Sequence, residues 1–322
     1  MSTAVAPERK PDSKPPDRTD IREARGLRRL AWRMWRERSA YLFIAPGMLI
    51  FSVFTLGALV FAAWLTFHRW SIIEPEKPFV GLQNYRDMVD DERFVQSVLN
   101  TIYFTGASVP ITMFIGLCLA LLLNQPLRGR ALFRTAYYLP VVTPFVVSAL
   151  LWKWLYNGDF GLFNYYLMKG HVIDEPLQWL SSQNLAMPSV VLMSIWSGVG
   201  FSMVIYLAGL QSVPYELYES AKLDGASTLQ RIRHVTIPLL RPTTLFLLVI
   251  GIIGSLQVFT QIFVMTQGGP VNKTTTMVYY MYLWAFKYYD MGYASTLAFA
   301  LFAMLLVFTA FQLRLFRDGD KA

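Results

Sequence analysis

Six apolar runs, each long enough to cross a bilayer, constrain this chain more than any other feature. They extend from Tyr41 to Phe67, Leu99 to Leu123, Leu132 to Tyr156, Ser189 to Leu210, Thr243 to Met265 and Tyr293 to Leu315. A hydrocarbon core of about 30 Å needs about 20 apolar residues in a helix. Water cannot satisfy an open backbone there, so each run is held to a helix. The expected fold is an all-α membrane protein with six transmembrane helices spread over residues 41–316. Thr274 to Tyr289 is apolar and aromatic but too short to span. It reads as a helix lying in or dipping into the outer interface, where Tyr and Trp are favoured.

The loops between these runs alternate in charge. Basic residues crowd the 1–40 tail, the turn with Arg128, Arg130 and Arg134, the loop with Arg231, Arg233 and Arg241, and the end with Arg314 and Arg317. The intervening loops carry Glu74, Glu76, Asp90, Asp91, Glu92, Asp174 and Glu175. The positive-inside rule then places both termini and the loop at 211–241 in the cytoplasm. The net charge of +8 is therefore a matter of membrane orientation and not of nucleic-acid binding. Residues 1–20 are polar and Pro-rich and are expected to be disordered. Ile21 to Arg38 is basic, with Leu27, Leu30, Ala31 and Met34 on one helical face. It reads as an amphipathic helix on an anionic membrane surface, or equally as a solvated tail. The first apolar run is too long for the core of a cleaved signal peptide. Residues 317–322 are expected to form a short cytoplasmic tail.

Enzymatic chemistry finds no foothold in this sequence. There is no G-x-x-x-x-G-K-[ST] phosphate loop, no H-E-x-x-H and no G-x-S-x-G. His68, His171 and His234 fall on separate segments, and Cys118 is the single cysteine. No catalytic residue, metal site or bound cofactor is expected on this chain. Ionisable groups are nearly absent from the spans, and Lys153 lies near a span end from which it can snorkel.

What the spans do carry is neutral polarity. On the fifth, Gly254, Gln257 and Gln261 share one face of a continuous helix at spacings of three and four, with Ser255 and Thr260 close by. On the fourth, Ser194, Ser197 and Ser202 accompany Trp196. Such groups either hold helices together or line a path for an uncharged, polyhydroxylated solute such as a sugar. An anionic solute would call for Arg or Lys instead. Pro110, Pro140 and Pro144 should kink the second and third spans.

One polar stretch, Glu219 to Pro238, sits between two apolar runs. Tyr215 to Leu223 contains good helix formers. Asp224-Gly225 should end that helix, with Gly225 in a left-handed C′ position. Ser227 with Gln230 has the spacing of a capping box for a second helix. That helix should stop before Pro238, because a residue preceding proline is pushed out of the α region. By these signals alone the stretch is two short helices, or simply a solvated loop.

The order of its residues resembles the EAA coupling loop of ABC importer permeases. Glu219, Ala221, Asp224, Gly225, Ala226, Ile237 and Pro238 fall on that pattern, and Ser220 stands where alanine is usual. Phe79 to Tyr85, Asn100-Thr101, Tyr138-Leu139-Pro140 and Met265 to Pro270 resemble the carbohydrate-uptake branch, in particular the first of its two paired permeases. Relatives often carry an acid where this chain has Thr260. The resemblance implies a type I ABC importer permease fold in a bacterial or archaeal cytoplasmic membrane. It implies as partners a second permease, a dimer of ATPase subunits that hold ATP and Mg, an external solute-binding protein and a carbohydrate substrate. Glu219, Ser220, Ala221, Asp224, Gly225, Ala226, Ile237 and Pro238 would contact the ATPase. Gln257, Gln261, Gly254, Ser197 and Trp196 are the candidates for the substrate path. Two other classes stay open: a secondary transporter driven by an ion gradient, which would need intramembrane ion ligands, and a membrane enzyme.

Overall fold

The computed structural model describes residues 38–317. The expected N-terminal tail and most of its basic amphipathic helix, and the last residues of the C-terminal tail, lie outside the described residues. Four helices are each long and apolar enough to cross a membrane: α1 (Arg38–Leu65), α3 (Glu92–Leu123), α7 (Ala186–Gln211) and α13 (Met291–Arg317). Two bent pairs, α4 (Arg130–Val142) with α5 (Phe145–Leu155) and α9 (Thr228–Leu239) with α10 (Arg241–Leu256), bring the number to six if each pair contributes one span. The shorter helices are α2 (Gln83–Val89), α6 (Leu162–Lys169), α8 (Tyr215–Leu223), α11 (Thr260–Met265) and α12 (Met277–Phe286). The chain divides into one unit ending at Phe61 and a second beginning at Ala62. In the first, Pro46 sits inside the helix and Ser52–Gly57 forms a π turn.

The second unit is built around α3 and α7. Phe104 of α3 packs with Val190, Met193 and Ile195 of α7, and farther along Val109, Met113, Ala120 and Leu123 meet Met203, Tyr206, Leu207 and Leu210. Small residues let the backbones approach. A Cβ added at Gly116 would come 2.6 Å from Ser202 Cβ and 3.0 Å from Met203 N. One at Gly200 would lie 2.1 Å from the Tyr137 carbonyl oxygen. Lipid supplies no hydrophobic drive between helices, so close packing of this kind is what holds them. The large apolar side chains left outside, such as Phe114, Phe145 and Phe311, are exposed. They suit lipid or other subunits.

The prolines act unequally. The α3 helix runs through Pro110 without interruption. At Thr143-Pro144 the expected kink is a full break: Thr143 is extended at φ −78° and ψ 129°, and α4 and α5 meet at 98°. A residue before proline is disfavoured in the α region, and here it has left it.

The expected fifth span also departs from one straight helix. The α10 helix stops at Leu256, Gln257 and Phe259 leave helical geometry, and α11 resumes at Thr260. At the break the Val258 carbonyl accepts a hydrogen bond of 3.0 Å from Thr276 Oγ1, a tertiary partner for a carbonyl that lies between the two helices. The apolar, aromatic stretch after it does form a short helix, α12, and Thr274–Thr276 precede it as buried, non-helical chain.

Two asparagines and an aspartate lock one end of this unit. Asn84 Nδ2 donates to the carbonyls of Thr66 and His68, at 2.8 and 3.1 Å. Asn100 Nδ2 donates to those of Asn272 and Thr275, both at 2.9 Å. Asp91 caps α3 by accepting from Arg93 N, and its Oδ2 accepts from the hydroxyls of Tyr280 at 2.5 Å and Tyr293 at 2.8 Å. Burial, together with this bond to the carboxylate, holds the Tyr280 phenol above its usual range, so it stays a donor. Loop ends that would otherwise bury bare carbonyls are satisfied in this way.

Candidate functional site

At the other end, between the C-termini of α3 and α7, the polar stretch projects as a capped pair of short helices. The α8 helix ends as expected. Gly225 adopts φ +78°, its N–H donates to Lys222 O, and Ala226 N donates to Ala221 O at 2.9 Å. These two bonds make a Schellman cap. Ser227 then opens α9 with both bonds of the capping box: Gln230 N to Ser227 Oγ, and Ser227 N to Gln230 Oε1 at 2.7 Å. Tyr218 Oη and Thr236 Oγ1 lie 3.0 Å apart and tie the two helices together.

The second helix does not stop before Pro238. It continues to Leu239 because Ile232–Thr236 widens into a π turn in which the Ile237 N–H reaches the Ile232 carbonyl. Pro238 follows directly, inside α9 in the short turn Ile237–Leu239 after the π widening. The chain bends by 65° at Leu240, which is buried, before α10 begins.

This arrangement sorts the expected docking residues. Ala221, Asp224, Gly225 and Ala226 build the cap itself, and Ala221 and Ala226 are half-buried. Glu219, Ser220, Ile237 and Pro238 are exposed, with Ser220 Oγ donating to Glu216 O. Flanking the cap, Leu223 is 88% and Leu229 74% exposed. The two leucines thus stand bare on either side of the polar, well-capped turn. Their apolar character was plain in the sequence, but which way they point was not.

The polar residues of the spans are not gathered in one row. The break after Leu256 takes Gly254, Gln257 and Gln261 off a common helical face. Gly254 and Gln257 are exposed, Gln261 is half-buried, and a Cβ at Gly254 would meet nothing within 4 Å. Ser197 is buried with no hydrogen-bond partner for its hydroxyl, while Trp196 packs against Trp152 with ring centroids 5.6 Å apart.

Residues 92–318 match the family described as the binding-protein-dependent transport system inner membrane component. The chain belongs to this family. The trehalose/maltose transport system permease MalF of Thermococcus litoralis is 36% identical over 280 residues, 86% of this chain and 93% of that one. The sulfoquinovosyl glycerol transport system permease SmoG of Agrobacterium fabrum is 33% identical over 313 residues, 95% of this chain and 100% of that one. A bacterial ABC transporter involved in the import of the acidic polysaccharide alginate shares the fold, with a TM-score of 0.79 at 24% identity over 90% of this chain and 99% of that one. A structure of the bacterial alginate ABC transporter in complex with an alginate pentasaccharide-bound periplasmic protein gives a TM-score of 0.78 at 24% identity over 88% and 96%.

The permease is thus a multi-pass membrane protein of the type I ABC importer fold. It is a transport component and not an enzyme, and it belongs to a system that depends on a solute-binding protein. Several of its family-like motif residues brace the fold: Asn84 and Asn100 donate to loop carbonyls, and Thr101 Oγ1 accepts from Met277 N at the start of α12. Sequence reasoning marked those motifs but not these tasks, which need partners 16 to 176 residues away.

Proposed function

We propose that this permease is one of two paired membrane subunits of an ATP-driven carbohydrate importer in the cytoplasmic membrane. It forms the translocation path with a second permease and couples through residues 219–238 to a dimer of ATPase subunits that bind ATP and Mg. The observation that carries this reading is the capped helix pair α8–α9, projecting from the bundle with Leu223 and Leu229 bare. A rigid, apolar-tipped lever is what a nucleotide-driven partner needs in order to move the spans. Closure of the ATPase dimer would rock the bundles between two packings. The basic residues Arg231, Arg233 and Arg241 beside the lever support a cytoplasmic placement. The names of relatives, transporters of trehalose or maltose, of sulfoquinovosyl glycerol and of arabinooligosaccharides, support a carbohydrate as substrate.

The test is to recover the chain from detergent-solubilised membranes and identify what comes with it. An ATPase subunit and a second permease are the expected companions, and the ligand of the attached binding protein names the sugar. Recovery of the chain alone, with ion-driven uptake in liposomes, would overturn the reading.

A further inference from the structure

The end of the bundle opposite the lever holds a cavity of about 470 Å³, between the exit of α5, the chain before α7 and the loop after α11. That volume lies within the roughly 300–1,000 Å³ of small-molecule pockets. One wall is aromatic. Trp179 and Tyr156 lie with centroids 5.4 Å apart and planes inclined at 33°. Trp179 is locked by its Nε1 donating to Asn164 Oδ1 at 2.9 Å. Asn164, only 2% exposed, also donates to the carbonyls of Gly158 and Leu177 and accepts from Leu177 N. One buried amide therefore fixes the ring, the turn at Gly158 and the chain at Leu177 in a single register.

The other wall is polar and of mixed sign. The Gln178 amide lies across Gly158, where a Cβ would come 2.6 Å from its Nε2. Lys153, whose Nζ donates to Val264 O, and Asp159 stand exposed at the same cavity. The third side is the loop with Gly269 and Pro270. Its neighbours Gln267, Val271 and Asn272 all sit at positive φ, 51°, 46° and 58°. Side chains other than glycine hold that conformation at a cost in free energy. The loop is held there by Asn100, and by Thr274 Oγ1 on Thr266 Oγ1 and on Gly269 O, each at 2.7 Å. Strain imposed from several sides and kept at a cavity mouth marks a built surface.

We infer that this cavity is a saccharide subsite at the mouth of the permease, where Trp179 faces a sugar ring and Gln178, Asp159 and Lys153 bond its hydroxyls. A planar ring beside an amide, a carboxylate and an ammonium suits a neutral ring with many hydroxyls. The opposed charges leave no demand for a charged ligand. The choice of sugar rests on the carbohydrate reading above. The site is separate from Gly254, Gln257, Gln261, Ser197 and Trp196, none of which lines it.

The assembled transporter, with its partner subunits and binding protein, is reconstituted in liposomes and offered maltose, trehalose, maltotriose and an arabinooligosaccharide. In a Cys118→Ser background, the Gln178→Cys variant is labelled by a membrane-impermeant maleimide from the binding-protein side. The sugar that is imported should slow labelling at least fivefold, and sugars that are not imported should leave it unchanged. Gln178→Ala and Asp159→Asn, at unaltered melting temperature, should each raise the half-saturating concentration for uptake about tenfold, the loss of one or two hydrogen bonds. An imported sugar that neither slows labelling of the Gln178→Cys variant nor responds to the other two variants by twofold overturns the subsite alone. A transporter that hydrolyses ATP yet imports none of the four overturns the carbohydrate reading, and the subsite's ligand class with it.

Discussion

Gly225 contributes backbone freedom and nothing else. A Cβ there would meet no atom within 4 Å, so space does not demand glycine, but its φ of +78° does. Gly225→Val is expected to cost the cap about 1–2 kcal/mol and to remove most uptake while the protein remains in the membrane. Radiolabelled sugar uptake alongside a membrane-fraction blot checks this, and normal uptake would remove the coupling role. Asp91 works the opposite way, through side-chain oxygens that accept from two phenols and a backbone N–H. Asp91→Asn keeps a cap but loses the charge at Oδ2. Thermal unfolding in detergent should register a loss of about 1–3 kcal/mol. At Gly254, open space and a helical backbone predict the reverse. Gly254→Ala should stabilise by up to about 1 kcal/mol, so a fall in uptake at raised stability would mark a residue of the path.

Elements in this permease are shaped by where they must break. Pro110 is absorbed within α3, while Thr143-Pro144 turns the chain through 98°. The difference lies in the residue before the proline: Val109 is buried in the α3–α7 core and stays helical, whereas Thr143 is extended. The α4–α7 contact is the least forgiving. Gly200→Val would drive a side chain into the Tyr137 carbonyl, and backbone cannot yield as a side chain can. A destabilisation above about 1–3 kcal/mol is expected, seen as a lowered melting temperature or lost recovery from detergent. The π turn at Ile232–Thr236 accommodates Pro238 within α9, as the break at Thr143 accommodates Pro144 between α4 and α5.

At the scale of the whole molecule, the permease carries bracing at one end and a lever at the other. On the coupling proposed above, the energy of docking should concentrate in few side chains, Leu223 and Leu229 first. Leu223→Asp and Leu229→Asp should each reduce co-purifying ATPase at least tenfold, near 1.4 kcal/mol or more, with the second permease still recovered. Quantitative immunoblots of the purified complex decide this, and undiminished ATPase would move the docking surface elsewhere.

The length of the apolar runs determined the spans, since an unbroken run of about 20 apolar residues crosses hydrocarbon with its backbone satisfied as a helix. Local turn chemistry determined the lever: the αL glycine and the capping box need only neighbours within a few residues, and both stand where Gly225, Ser227 and Gln230 put them. The tertiary structure alone decided what depends on distant partners. The fifth span breaks at 257–259, where Thr276 bonds the Val258 carbonyl, and Gly254, Gln257 and Gln261 leave a common face. Asn164 brings Trp179 to the turn at Gly158, and Asn100 holds a strained loop 172 residues away. A buried amide or carbonyl takes whichever partner the fold brings within about 3 Å, and no spacing in the sequence records that choice.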